Sequence, residues 1–240
     1  QFGTLGNLYP GRIDLGLGRA PGTDQLTAHA IRPERMQAVY QFPEDISRIQ
    51  QYFSPNNATE KVRVNVAEGT AVPIYILGSS TDSARLAAKK GLPYAFASHF
   101  SSGALLDALA IYRNEFRPSE FLAEPYTIAC VNVIAAETDA AAERLSTSYI
   151  RMILGVLTGQ MDFVQPPTAM TQDLRELVEN PALQQMMRYA FIGSKQTVKQ
   201  GIRNFLEETG VSELMVASNA YDPADRITSY RIVSEIMQEL

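Results

Sequence analysis

Three groups of side chains in this 240-residue chain have types and spacing suited to chemistry. The first is the turn Leu77-Gly78-Ser79-Ser80-Thr81-Asp82-Ser83-Ala84, which follows the apolar run Ile74 to Leu77 and opens a small-residue helix ending at Lys90. A helix start leaves backbone N–H groups without intrahelical partners, and its dipole adds partial positive charge. Gly78 permits close backbone approach, and Ser79, Ser80 and Ser83 add hydroxyl donors, so the turn reads as an anion site. It also reads as an N-cap and tight turn, for which Ser and Thr are ordinary residues. The second group is Arg19, at the C-terminal end of an alternating stretch. Its planar fork of donors matches phosphate oxygens, although an ion pair with Asp24 would also account for it. The third is Ser98-His99, just after the apolar stretch Tyr94 to Ala97. His99 suits a proton donor or a polar contact to a ligand ring, or a hydrogen-bonded histidine beneath a loop.

Composition narrows the function classes. Hydrophobic residues make up 45% and charged residues 20%, with a net charge of -5, the balance of an ordinary globular protein. An acidic chain does not suit nucleic-acid binding through a broad basic face. No apolar run reaches the roughly 18 residues of a membrane span, and the start lacks a basic region followed by an apolar one. The chain therefore reads as cytoplasmic, with neither a nucleic-acid nor a membrane partner. Cys130 is the single cysteine; within the apolar stretch Tyr126 to Ala135 it reads as a buried structural thiol. His29 and His99 lie far apart, so no metal site is expected. The chain begins Gln1-Phe2-Gly3-Thr4-Leu5 without Met. It is already inside a helical pattern there, which reads as a fragment or a processed chain.

The elements that must position these groups follow from periodicity. Arg12 to Leu17 alternates, with Ile13, Leu15 and Leu17 on one side and Asp14, Gly16 and Gly18 on the other, a strand signal. Asp14 reads as an interior polar group or a catalytic one. Gln25 to Phe53 reads as two helical parts broken near Phe42-Pro43, with Thr23 or Asp24 as the first cap. Val62, Val64 and Val66 alternate as a short extended excursion. Strands are expected near 12–17, 74–77, 94–97, 126–135 and 213–218, each followed by a helix. That order gives an α/β fold with a parallel sheet and covering helices, as an open doubly wound sheet or a (β/α) barrel. In either, ligands sit at the C-terminal strand ends, where Arg19, Ser79, Ser80, His99 and Asn219 fall. A helix is expected over Gln172 to Tyr189 despite Pro181. The stretch Gly155 to Thr171, with Met161, Phe163, Val164 and Met170, reads as a lid or as packing.

No nucleophile elbow, Walker loop or complete dinucleotide fingerprint is present; Gly16-Leu17-Gly18-Arg19-Ala20-Pro21 holds G-x-G without the third glycine. The run Phe2-Gly3-Thr4-Leu5 through Tyr9-Pro10-Gly11-Arg12-Ile13-Asp14-Leu15-Gly16-Leu17-Gly18-Arg19-Ala20-Pro21-Gly22 resembles the bacterial-luciferase-like, flavin-dependent monooxygenases. So do Leu77-Gly78-Ser79-Ser80 with Ser83-Ala84, Ala87-Ala88 and Gly91-Leu92-Pro93-Tyr94, and the ending Glu213-Leu214-Met215-Val216 with Tyr221-Asp222.

The resemblance implies a (β/α)8 TIM barrel, of which this chain would form a single domain over 1–240 lacking about the first three strands. Such a chain alone would be expected to be weakly stable or to associate, with little activity. The resemblance also implies reduced FMN at the C-terminal mouth, with Arg19, Ser79, Ser80 and Ser83 on its phosphate. Ser98 would lie near the ring or the substrate, with His99 as the candidate catalytic residue. It implies O₂ and a small organic substrate, a flavin reductase supplying reduced FMN, and a homodimer. A deazaflavin (F420)-dependent oxidoreductase and a non-catalytic flavin-binding protein are the alternatives. Luciferase itself has a cysteine where this chain has Gly18, so light emission is not expected.

Overall fold

The computed structural model describes residues 1–20, 23, 25–31 and 35–240. Its contacts divide the chain into two compact units, Gln1–Ala95 with Ala110–Tyr126, and Phe96–Leu109 with Thr127–Leu240.

In the first unit, α1 (Phe2–Leu8) leads to β1 (Leu15–Gly18), then α2 (Gln25–Ile31), α3 (Arg35–Phe53), β2 (Ile74–Gly78), α4 (Thr81–Lys90) and β3 (Tyr94–Phe96), whose last residue belongs to the second unit. Strands β1 and β2 are parallel, in register from Leu15↔Ile74 to Gly18↔Leu77, and β3 neighbours β2. Helix α4 buries Ser83, Ala84, Ala87 and Ala88. Side chains this small let a helix lie close to its strand. Gly91 closes α4 in the left-handed region at φ 59°. A side chain there would also run into the Arg117 carbonyl, 2.4 Å from the position of a Cβ. The buried Tyr112 hydroxyl donates to Leu92 O (2.9 Å) and accepts from Tyr126 N (3.2 Å).

The second unit includes the start of α5 (Leu105–Glu115), whose residues from Ala110 on belong to the first. It holds β4 (Thr127–Ala136), α6 (Asp139–Thr158), α7 (Gln172–Val178), α8 (Pro181–Met187), β5 (Ala190–Ser194), α9 (Lys195–Thr209), β6 (Glu213–Ala217) and α10 (Pro223–Glu239). Strand β4 pairs in parallel with β5 along its second half, from Asn132↔Ala190 to Ala136↔Ser194. It pairs with β6 along its first half, from Ile128↔Glu213 to Asn132↔Ala217. The core packs Ile134, Leu145, Tyr149, Ile150, Ile153, Leu174 and Leu183. Ser194, which precedes α9, makes no side-chain cap bond. Asp139 of α6 instead braces the start of α9, accepting from Ser194 N at 2.7 Å and Thr197 Oγ1 at 2.8 Å.

The structure corrects several expectations. Among the described residues there are six strands rather than five, the unforeseen one being β5. Its short apolar run, Tyr189 to Ile192, follows helical sequence without a breaker, and only Gly193-Ser194 separates it from the next helix, so distant pairing with β4 decides it. The break foreseen at Phe42-Pro43 is absent, since Pro43 lies inside α3. Val62 to Val66 forms no strand; Val64 O accepts from Ala67 N and Glu68 N in a turn. The buried Asn57 holds that turn, donating to Val62 O and accepting from Val64 N. Pro181 starts a second helix behind the cap Asn180, splitting Gln172 to Tyr189 in two. Asp14 is exposed rather than interior. The cap or ion-pair partner Asp24 lies outside the described residues. Among the described residues no helix is long and apolar enough to cross a membrane.

Candidate functional site

The first unit carries the turn after β2. Because Gly18 lies opposite Leu77, Arg19 and Gly78 leave their strands side by side. The two backbones are close here, since a Cβ on Gly18 would meet Leu77 O at 3.2 Å. Gly78 has no room for a side chain, as a Cβ would sit 2.0 Å from Ser83 Oγ. Ser80 caps α4 in a capping box with Ser83: Ser83 N donates to Ser80 Oγ and Ser80 N to Ser83 Oγ, each at 3.4 Å. Ser83 is buried and its hydroxyl donates to Ser80 O at 2.7 Å. From β3, Tyr94 Oη donates to the same carbonyl at 3.1 Å and lies 3.0 Å from Ser83 Oγ. Burial pushes the Tyr94 phenol up to about 12, against a smaller opposite effect of the Ser83 hydrogen bond. Tyr94 therefore acts as a neutral strut beneath the turn.

This arrangement divides the expected phosphate ligands. Ser83 has its proton committed inside the turn, so it shapes the site. Ser79 and Ser80 are half-buried, and Ser79 makes no hydrogen bond among the described residues. Arg19 is half-buried without an ion-pair partner among the described residues. One guanidinium, two hydroxyls and the first-turn N–H groups of α4 form a donor set that fits a phosphate. Asp82, in the same first turn, is exposed.

The second unit holds Ser98 and His99. Ser98 is fully buried and donates to Cys130 O at 2.6 Å, so its hydroxyl too serves the protein. The His99 carbonyl accepts from Asn132 Nδ2 at 2.7 Å, and its ring meets Phe100 edge-on at 4.7 Å. Nδ1 of His99 is enclosed without a partner, and burial lowers the pKa of the ring. Asn132 is itself buried. It donates also to Tyr149 Oη (2.6 Å) and accepts from Asn219 Nδ2 (2.7 Å). Burial raises the Tyr149 phenol well above its ordinary value; Cys130 is half-buried rather than buried, and desolvation raises its thiol to about 11, which disfavours the thiolate. His29, on α2, is exposed.

Tyr94, Asn132 and Tyr149 escaped the sequence reading. Tyr94 looked like one more apolar strand residue. Asn132 did leave a signal, as an amide in the middle of an otherwise apolar strand, where a buried polar group must be hydrogen-bonded. The stretch read as a lid begins later than foreseen, since Gly155 lies within α6. From within α6, Arg151 donates to Thr168 Oγ1 at 2.7 Å, while Phe163, beyond the helix, is 90% exposed.

A family model described as luciferase-like monooxygenase matches residues 1–213. A luciferase-like monooxygenase of Escherichia coli (strain K12) is 39% identical over 240 residues, covering 100% of this chain and 72% of that protein. The crystal structure of apo-MsnO8 superposes with a TM-score of 0.85 at 29% identity, covering 99% of this chain and 72% of that one. The FMN-bound oxygenating constituent of 3,6-diketocamphane monooxygenase from Pseudomonas putida superposes with a TM-score of 0.62 over 98% of this chain and 70% of that one; at 18% identity the likeness is one of fold alone. The α/β architecture is accordingly that of the luciferase-like TIM barrels, and the chain belongs to the luciferase-like monooxygenase family.

Proposed function

We propose that this chain is an FMN-dependent monooxygenase that holds the cofactor phosphate on Arg19, Ser79, Ser80 and the first turn of α4. The register of β1 against β2 carries this reading, because it sets Arg19 beside Gly78 at adjoining strand ends. Arg19 contributes the charge-matched fork and Ser79 and Ser80 the hydroxyl donors. Gly78, Ser83 and Tyr94 hold the backbone in the shape that aims them. Reduced flavin supplies the reactivity toward O₂; the protein binds, orients and keeps out water. His99 is assigned the contact to the reacting molecule. A reductase that delivers reduced FMN, and pairing with a second copy, belong to the same reading.

The family includes FMN-dependent and F420-dependent members. Titrating the protein with FMN, riboflavin and F420 separates the possibilities. FMN is expected to bind tightest, and riboflavin weaker because it lacks the phosphate. Charge-assisted hydrogen bonds contribute about 1.5–3 kcal/mol, so Arg19→Ala should weaken FMN roughly ten- to hundredfold and leave riboflavin unchanged. Equal effects on FMN and riboflavin overturn the phosphate assignment, and tighter F420 binding overturns the choice of cofactor.

A further inference from the structure

We propose that Asn132 is a positioning residue. It fixes His99 with Nδ1 turned inward as a bare acceptor and Nε2 turned outward as a neutral N–H donor to an oxygen atom of the bound molecule. The ligand contact of His99 rests on the function proposed above; the fixed ring state does not.

The argument starts from the amide. A buried Asn side chain has two donor hydrogens and an acceptor oxygen to satisfy. Here all are used, with donors to His99 O at 2.7 Å and Tyr149 Oη at 2.6 Å and the oxygen accepting from Asn219 at 2.7 Å. The amide can neither rotate nor translate without breaking a bond. It sits on β4 where the pairings with β5 and β6 meet, which immobilises its backbone as well. The bond to the His99 carbonyl therefore fixes that residue's main chain, while the edge of Phe100 at 4.7 Å and 85° restricts the ring plane.

Held in this way, the ring encloses Nδ1 with no hydrogen-bond partner. Nε2 is not among the enclosed atoms and has no partner among the described residues. An orphaned buried N–H is rarer and costlier than an orphaned acceptor. The proton of neutral His99 therefore resides on Nε2. Charging the ring would place an N–H on the enclosed side, which agrees with the lowered pKa. No carboxylate pairs with His99 among the described residues to offset that cost. The result is a hydrogen-bond donor that stays uncharged near neutral pH, suited to a carbonyl-type oxygen.

Nitrogen-15 NMR of histidine-labelled protein without ligand tests this directly. The chain has two histidines, and His29→Gln assigns the signals. His99 is expected as the Nε2–H tautomer at pH 7, titrating below the ordinary histidine range. In Asn132→Ala it should become a mixture of tautomers with its midpoint shifted upward. In Tyr149→Phe, which spares the bond to the His99 carbonyl, neither should move. An Nδ1–H tautomer or a charged ring in the unaltered protein at pH 7 overturns the proposal, and that measurement stands even if Asn132→Ala fails to fold. So does a natively folded Asn132→Ala with an unchanged His99 spectrum, or a Tyr149→Phe that reproduces the shift. None of these readings involves flavin, so the failure of FMN to bind would be a separate result.

Discussion

Gly78 shows how narrowly a single residue can be specified. A Cβ at that position would lie 2.0 Å from Ser83 Oγ and 2.3 Å from Ser83 Cβ, so Gly78→Ala must push α4 away from β2. Overpacking of this kind typically costs about 1–3 kcal/mol, readable as a lowered urea midpoint, and FMN affinity should fall with it. Tyr94→Phe removes the strut to Ser80 O. We expect about 1 kcal/mol of lost stability, with a smaller loss of FMN affinity than for Arg19→Ala. His99 links stability to pH. Its pKa is lowered from 6.5 by burial, so the unfolded chain binds the proton more readily than the folded one. The stability is fully present above the ordinary value and is lost as pH falls from there through the lowered one. Urea unfolding at pH 7 and pH 5 should show this loss, and His99→Gln, which cannot titrate, should reduce it. The same variant keeps a donor near the Nε2 position, so turnover should survive better than in His99→Ala. If His99 must pass on a proton, the two variants would be equally impaired. Arg19 and the serine turn were legible in the sequence because glycine, hydroxyls and a strand–helix boundary are local signals. The division of labour among the serines was not, because it depends on Tyr94 reaching in from another strand.

The same contrast holds for elements. Helix α4 announced itself through its cap, its small residues and Gly91. Strand β5 did not, because what makes Ala190–Ser194 extended is its pairing with β4, a contact that local composition does not encode. The start of α9 is a similar case. It is braced by Asp139, on another helix, which accepts from Ser194 N and Thr197 Oγ1, and these bonds hold that carboxylate below its ordinary pKa. Asp139→Ala should lower the melting temperature and fray α9, seen as faster amide exchange in its first turn. The unaltered protein should lose the same increment on acidification as pH falls from the ordinary carboxylate value through the lowered one. A melting temperature insensitive to Asp139→Ala would show that α9 starts without help. Pro43 makes the converse point, since a residue that normally ends a helix is carried inside α3.

For the molecule as a whole, family and fold are shared with relatives that use different cofactors, so neither names the substrate. Apart from β5, the strands and the helices they feed were readable from alternation and spacing. The chain has no tryptophan, so its own emission comes from tyrosine and the flavin signal can be followed without overlap. FMN, riboflavin and F420 titrations are therefore practical on the whole protein.

The meeting of two pairings on β4 has a consequence for how the chain finds its fold. Strands β5 and β6 reach β4 from far along the sequence, and non-local parallel pairing forms slowly. A slip of one residue would turn every side chain of the slipped strand to the opposite face. Asn219, just past the end of β6, reaches the Asn132 amide only when β6 has docked with its proper alignment. The amide thus works as a proofreading contact. A leucine at that position would collapse as readily but accept misaligned partners, and Asn132→Leu should give doubled amide resonances from coexisting alignments rather than one uniformly weakened species.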